Sequence, residues 1–192
     1  MGREFELKFR ATEAQFAALK ADFPHLQPIS METTYFDTPY RKLGPLHWTL
    51  RRRMENEKSV CTLKIPAAGG GRGEWEVESG SIMAAIPKLC QLGAPMELMA
   101  HTVSGVIAVC GARFTRLAGL LEPDGCTVEL ALDQGVLTGG NRELPLLEVE
   151  VECKSGSERA AAAFAQALAN KYGLQPEAAS KYRRALDLAQ GE

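Results

Sequence analysis

The feature that most constrains this chain is a two-residue alternation of charged and apolar side chains that returns in segment after segment. In "REFELKFR" (3–10), Glu4, Glu6, Lys8 and Arg10 share one parity while Phe5, Leu7 and Phe9 share the other. The division recurs in "GEWEVES" (73–79), where Glu74, Glu76 and Glu78 oppose Trp75 and Val77. It recurs again in "CTVELALDQGVL" (126–137), with Glu129 and Asp133 against Val128, Leu130 and Leu132, and in "PLLEVEVEC" (145–153), with Glu148, Glu150 and Glu152 against Leu147, Val149 and Val151. A period of two belongs to extended strands, whose successive side chains point to opposite faces. "METTYFDTP" (31–39), "LHWTLRRR" (46–53), "SVCTLKIP" (59–66) and "ARFTRLAG" (112–119) complete a set of strands and add Arg51, Arg53, Lys64 and Arg113 to the charged face. Arg52 and Arg116 fall on the outer parity.

Between the strands lie helical patterns. Thr12 caps a helix over 12–23 that Pro24 stops, and "SIMAAIPKLCQL" (81–92) and "SGVIAVCG" (104–111) read as short helices. A helix from Ser157 ends at Gly173, and a last one spans 176–189, near whose end Arg183 reads as a charge suited to a helix C-terminus. "MENEKS" is a hairpin connection, "PDG" (123–125) a turn, and "AAGGGRG" (67–73) a looser loop whose Arg72 is placed to reach a ligand. That loop lacks the GK[ST] ending of a phosphate-binding P-loop. With no internal repeat and no long linker, residues 1–192 are expected to form a single domain.

Two arrangements satisfy the alternation. In one, the charges are the solvated outer face of an ordinary antiparallel sheet. In the other, the polarity is inverted: an α+β fold in which an eight-stranded antiparallel β-barrel encloses the charges, with the helices at 12–23, 81–92, 157–172 and 176–189 covering its apolar exterior. Three acids in line, as at 148–152, repel one another on an open face, and solubility at a formal net charge of -2 does not call for them. Enclosed acids need counter-ions, for which hard divalent cations are suited, and enclosed bases need an anion such as a phosphate chain.

The same net charge argues against a general nucleic-acid or acidic-membrane partner. The N-terminal stretch has no apolar core of a signal peptide, and no segment approaches the ~18 apolar residues of a spanning helix, so a cytoplasmic protein with no membrane partner is expected. The five cysteines form no CxxC pair and read as buried reduced thiols; His25, His47 and His101 are scattered, giving no zinc set and no Ser-His-Asp arrangement.

The strand motifs resemble, in order, those of the CYTH, or triphosphate tunnel metalloenzyme, superfamily. Glu4-Phe-Glu6-Leu-Lys8 is similar to its N-terminal ExExK signature, followed by "TTYFDTP", "TLRRR", "TLK", "RGEWEVE", "VELALDQG", "LEVEVECKSG" and "SKYRRAL" (180–186). The resemblance implies the enclosed, helix-covered arrangement. It implies Glu4, Glu6, Glu148 and Glu150 as ligands of Mg²⁺ or Mn²⁺, with Glu76, Asp133 and Glu152 as further candidates. Lys8, Arg51, Arg53, Lys64, Arg113, Lys181 and Arg184 are the implied phosphate-binding residues, and Lys8, Glu4 and Glu6 the implied catalytic ones. The implied reaction is metal-dependent hydrolysis of a small-molecule triphosphate, foremost inorganic tripolyphosphate. Class IV adenylate cyclisation, thiamine or nucleoside triphosphate hydrolysis, and non-catalytic polyphosphate or nucleotide binding are the alternatives. A thiamine substrate would need an aromatic platform, and Trp48 and Trp75 are the two tryptophans, Trp75 on the outer parity. The second domain fused to some relatives is not expected, and a homodimer stays open.

Overall fold

The alternating segments join through antiparallel ladders into one sheet. The computed structural model describes residues 5–66 and 72–191, which leaves Glu4 outside the described residues. The elements run β1 (Glu6–Arg10), α1 (Glu13–Asp22), β2 (Gln27–Asp37), β3 (Thr49–Glu55), β4 (Lys58–Pro66), β5 (Arg72–Glu78), α2 (Ile82–Gln91), α3 (Glu97–His101), β6 (Ile107–Leu121), β7 (Cys126–Gly139), β8 (Arg142–Gly156), α4 (Glu158–Tyr172), β9 (Gln175–Pro176) and α5 (Lys181–Gln190). The strands lie in the order β5-β4-β3-β2-β6-β7-β8-β1-β9. Among the described residues no ladder joins β5 to β9, so the observed architecture is a nine-stranded sheet with two edges where a closed eight-stranded barrel was expected. The sheet is nonetheless rolled, because side chains from one face of β1 to β8 line a single cavity.

The convex face carries the apolar parity. Phe9, Val128, Leu130, Leu132, Val149 and Val151 pack beneath Phe16 and Leu19 of α1 and Ala161, Ala165 and Leu168 of α4. Leu50, Cys61 and Leu63, with Trp75 and Val77, pack beneath Ile82, Ile86 and Leu89 of α2 and Leu98 of α3. A fully buried leucine in such a layer contributes ~1.5–3 kcal/mol. Local signals fix the helix ends. Thr12 and Gln15 form a reciprocal capping box, Ser157 and Ser180 cap α4 and α5, and Gly173 closes α4 in the left-handed conformation at φ 68°. Cys61, Cys90, Cys110 and Cys126 are buried thiols and Cys153 is half-buried.

Three expectations are corrected. Residues 107–111 extend β6 and pair with the end of β2, because Ile107, Ala108 and Cys110 take up a ladder that reaches Asp37, with Val109 at a bulge; they are not helical. The last helix begins at Lys181, which puts Arg183 in its first turn and not near its C-terminus. Most consequentially, α5 lies on the concave face. Its Ala185, with Tyr182 and Leu186, packs against Met31, Tyr35, Phe114, Leu137 and Leu146, all of the inward parity. Gly139 makes this approach possible, since a Cβ there would come within 2.5 Å of the Ala189 nitrogen and 2.6 Å of the Ala185 carbonyl oxygen. No helix among the described residues is long and apolar enough to cross a membrane.

Candidate active site

The concave face and α5 enclose a cavity of about 1090 Å³. Strands β1 to β8 contribute alternate residues: Glu6 and Lys8 from β1, Met31, Thr33 and Tyr35 from β2, Arg51, Arg53 and Glu55 from β3, Lys64 from β4, Arg72, Glu74 and Glu76 from β5, Phe114 and Arg116 from β6, Glu129 from β7, and Glu150, Glu152 and Lys154 from β8. Helix α5 adds Lys181, Tyr182 and Arg183. Although the chain is net acidic, basic side chains outnumber acidic ones along this wall among the described residues.

The β3–β5 side of the wall is a loose lattice of opposite charges. Arg51 lies 3.7 Å from Glu74 and 3.8 Å from Glu76, Lys64 lies 3.1 Å from Glu74, and Arg53 contacts Glu55 and lies 4.0 Å from Glu76. The Thr62 hydroxyl donates to Glu76 at 2.9 Å. Burial, reinforced by repulsion from Arg51, pulls the pKa of Arg53 below the usual arginine value. The Nε groups of Arg51, Arg53 and Arg184 are buried without an acceptor among the described residues. A buried donor left unpaired is costly, and an anion in the cavity is one way to satisfy it.

The β6–β8 side is tighter. Arg116 donates to both oxygens of Asp133 at 2.8 Å and also to Glu150. The Lys181 ammonium lies 2.8 Å from Asp133 and 2.6 Å from Glu150, and contacts Glu148, which also accepts from Arg184. Burial by itself would lower the pKa of Lys181 and of Arg116. The surrounding carboxylates outweigh it and hold both above their ordinary values. Burial pushes Glu148 up to about 6, against the pull of Lys181 and Arg184. Burial would raise Glu150 too, but Lys181 and Arg116 hold its carboxyl well below the usual range. Both cations also sit over the Phe114 ring, at 5.5 and 5.9 Å from its centroid.

The cavity has two differently charged ends. At one, Glu6 of β1 is directly opposite Glu152 of β8, which is opposite Glu129 of β7, so three acids form a row across neighbouring strands. Lys8 lies 3.7 Å from Glu6, and Lys154 lies 2.7 Å from Glu152. At the other end, Asp37 accepts from the backbone N–H groups of Thr38, Leu43 and Gly44 and so shapes the loop that brings Arg41 and His47 to the wall. Both residues hold left-handed backbone conformations, at φ 54° and 56°, an uncommon state for non-glycine residues that clusters at functional sites.

A family model for the CYTH domain matches residues 2–186. The chain belongs to the CYTH family. Among curated CYTH relatives, an inorganic triphosphatase of Haemophilus influenzae is 28% identical over 160 residues, which cover 82% of this chain and 46% of that protein. The chain therefore spans about half the length of the curated relative it matches. Among solved structures, a Hippeastrum protein described as a candidate adenylyl cyclase with a dominant triphosphatase activity superposes with a TM-score of 0.69 at 18% identity. That match covers 100% of this chain and 97% of the other. The PH1819 protein of Pyrococcus horikoshii OT3 gives 0.64 at 22% identity, covering 96% and 99%. At these identities the likeness is one of fold.

Within this CYTH domain, Glu6, Lys8, Arg51, Arg53, Lys64, Glu76, Glu150, Glu152 and Lys181 come together on the cavity wall. Asp133 and Glu148 lie beneath it, each with 0% exposure, and Arg184 is engaged by Glu148 and Glu177. Arg113 is a correction: it points away from the cavity, is 59% exposed and pairs with Glu143 at 2.5 Å. Arg116, expected outside, takes the inward place. Phe114, on the same parity as Arg116, also faces in and is covered by α5 from the concave side. Arg52 does point outward and donates to the Gly80 carbonyl at 3.1 Å. Lys154 was missed, although continuing the 148–150–152 alternation by one step finds it. For Arg41 no periodic signal exists, since a loop places it; His47 shares the parity of Arg51 and Arg53 in the sequence, although a turn before β3 is what brings it to the wall.

Proposed function

We propose that this CYTH domain, acting as one unit, hydrolyses a triphosphate with the help of a divalent cation, and that inorganic tripolyphosphate is its substrate. The observation that carries the reading is a cavity whose bases, among the described residues, exceed its acids in a net acidic chain, with the Nε groups of Arg51 and Arg53 buried in its wall and without an acceptor among those residues. A phosphate chain supplies acceptor oxygens and several negative charges in line. The inorganic triphosphatase relative supports the same chemistry.

Lys8, Arg51, Arg53, Lys64, Arg116 and Lys181 would hold the non-bridging oxygens and stabilise charge spread over the transferring group. Mg²⁺ or Mn²⁺ fits the row that includes Glu6 and Glu152. These are all-oxygen donors open to the cavity, and a small hard cation takes one or two carboxylates, waters and substrate phosphates. Glu4, outside the described residues, belongs to the same proposal. When bound, the cation would neutralise phosphate oxygens and lower the pKa of a water. Lys8, neighbour to Glu6 on one strand face, would orient the phosphate under attack. Neither tryptophan faces the cavity, as Trp48 and Trp75 both pack beneath α2 and α3, which speaks against a thiamine platform built from them.

Phosphate release from tripolyphosphate, ATP, GTP and thiamine triphosphate, each with Mg²⁺ and with Mn²⁺, tests the reading. Tripolyphosphate is expected to turn over fastest. Cyclic AMP from ATP with no phosphate released would overturn it, and tight binding without turnover would make the protein a non-catalytic binder.

A further inference from the structure

Asp133, Glu148 and Glu150 bring carboxylate oxygens within 4.8 Å of one another, an arrangement that suits a metal ion. The space among them is already held by a cation of the chain itself. The Lys181 ammonium contacts all three acids, Arg116 forks onto Asp133 and reaches Glu150, and Arg184 takes Glu148. Three carboxylates thus meet three cationic side chains. A divalent ion placed there would have to expel Lys181, the first residue of α5, and leave its ammonium without counter-charge in a buried setting.

We infer that Asp133 and Glu148 are positioning residues that hold Lys181 and Arg116 in the cavity wall, and not metal ligands. The inference rests on the phosphate-binding reading above. Two observations separate these acids from the Glu6–Glu152 row. Both are fully buried and neither touches the cavity, whereas Glu6 and Glu152 line it. Asp133 is also opposite Arg116 on one ladder and opposite Glu148 on the next, so three adjacent strands place base, acid and acid in one transverse row beneath the helix. The row fixes a direction as well as a charge. A fork from Arg116 to both oxygens of Asp133 allows one orientation of the guanidinium plane, which leaves its remaining face to the cavity.

The two roles predict opposite signs in the absence of any metal. Removing a negative charge beside an anion site should, by Coulomb's law alone, tighten anion binding. Removing a counter-charge that orients two binding cations should loosen it. Calorimetric titration of tripolyphosphate into the protein in EDTA distinguishes them. Asp133→Asn and Glu148→Gln are each expected to weaken metal-free binding about tenfold or more, as losing one partner of a buried charge pair does. Glu152→Gln is expected to bind at least as tightly as the native protein. Thermal melts run alongside identify any variant that has lost its fold; Glu148→Gln leaves the Arg116–Asp133 fork in place and serves if Asp133→Asn does not fold. Binding by the native protein together with equal or tighter binding by the Asp133 and Glu148 variants would overturn this inference alone. No binding of tripolyphosphate by the native protein would overturn the functional reading, and this one with it.

Discussion

Glu6 and Lys8 set opposite charges two residues apart on one face of β1, with their charged groups 3.7 Å apart, and neither is needed to pack the apolar face of that strand. Function should therefore be separable from folding at both. Glu6→Gln and Lys8→Ala are expected to lower phosphate release from tripolyphosphate by about 10²–10³-fold or more while the melting temperature moves by no more than a few degrees. Unchanged rates would remove these residues from the mechanism. Glu148 should behave differently, because burial raises its folded pKa to about 6 from an ordinary 4.5. An acid that binds its proton more tightly in the fold contributes stability that is full below about 4.5 and is lost as pH rises through about 6. The stability difference between the native protein and Glu148→Gln is thus expected to shrink by about 2 kcal/mol across that window. Denaturant unfolding at a series of pH values checks this; a difference that grows with pH would mean that Lys181 and Arg184 outweigh burial.

Among the elements, α5 carries the largest share of what the sequence left unresolved. Its amphipathic pattern identifies a helix with one apolar side, but a pattern of that kind does not state which side of a sheet the helix will cover. Two corrections meet here: α5 covers the concave face, and beneath it Arg116, on the parity of Phe114, takes the inward place expected of Arg113. The strands were far more legible, since period-two alternation assigns the acids of β1, β5, β7 and β8 to one face without reference to anything distant. Close packing of α5 depends on the missing side chain at Gly139, where an added Cβ would meet helix backbone at 2.5 and 2.6 Å. Gly139→Ala is expected to cost about 1–3 kcal/mol and, by shifting the helix that bears Lys181, to raise the KM for tripolyphosphate. A variant with native stability and native KM would show that α5 can be displaced freely.

For the whole molecule, a net charge of -2 conceals a cavity wall on which, among the described residues, bases outnumber acids. Screening should then act mainly on capture of the anion: raising salt from ~0.05 to ~0.5 M is expected to increase KM with a smaller change in kcat, because partly enclosed contacts are less screened than the approach to them. Steady-state assays across that range check the split. The ion cluster beneath α5 carries a further consequence for engineering. Assemblies of buried charge can often be exchanged for hydrocarbon of similar volume with no loss, or even a gain, in robustness. Selecting this protein for heat tolerance alone should therefore favour leucine or methionine at Asp133, Glu148 and Lys181, and the hardened descendants would be expected to survive boiling more readily while losing their grip on phosphate.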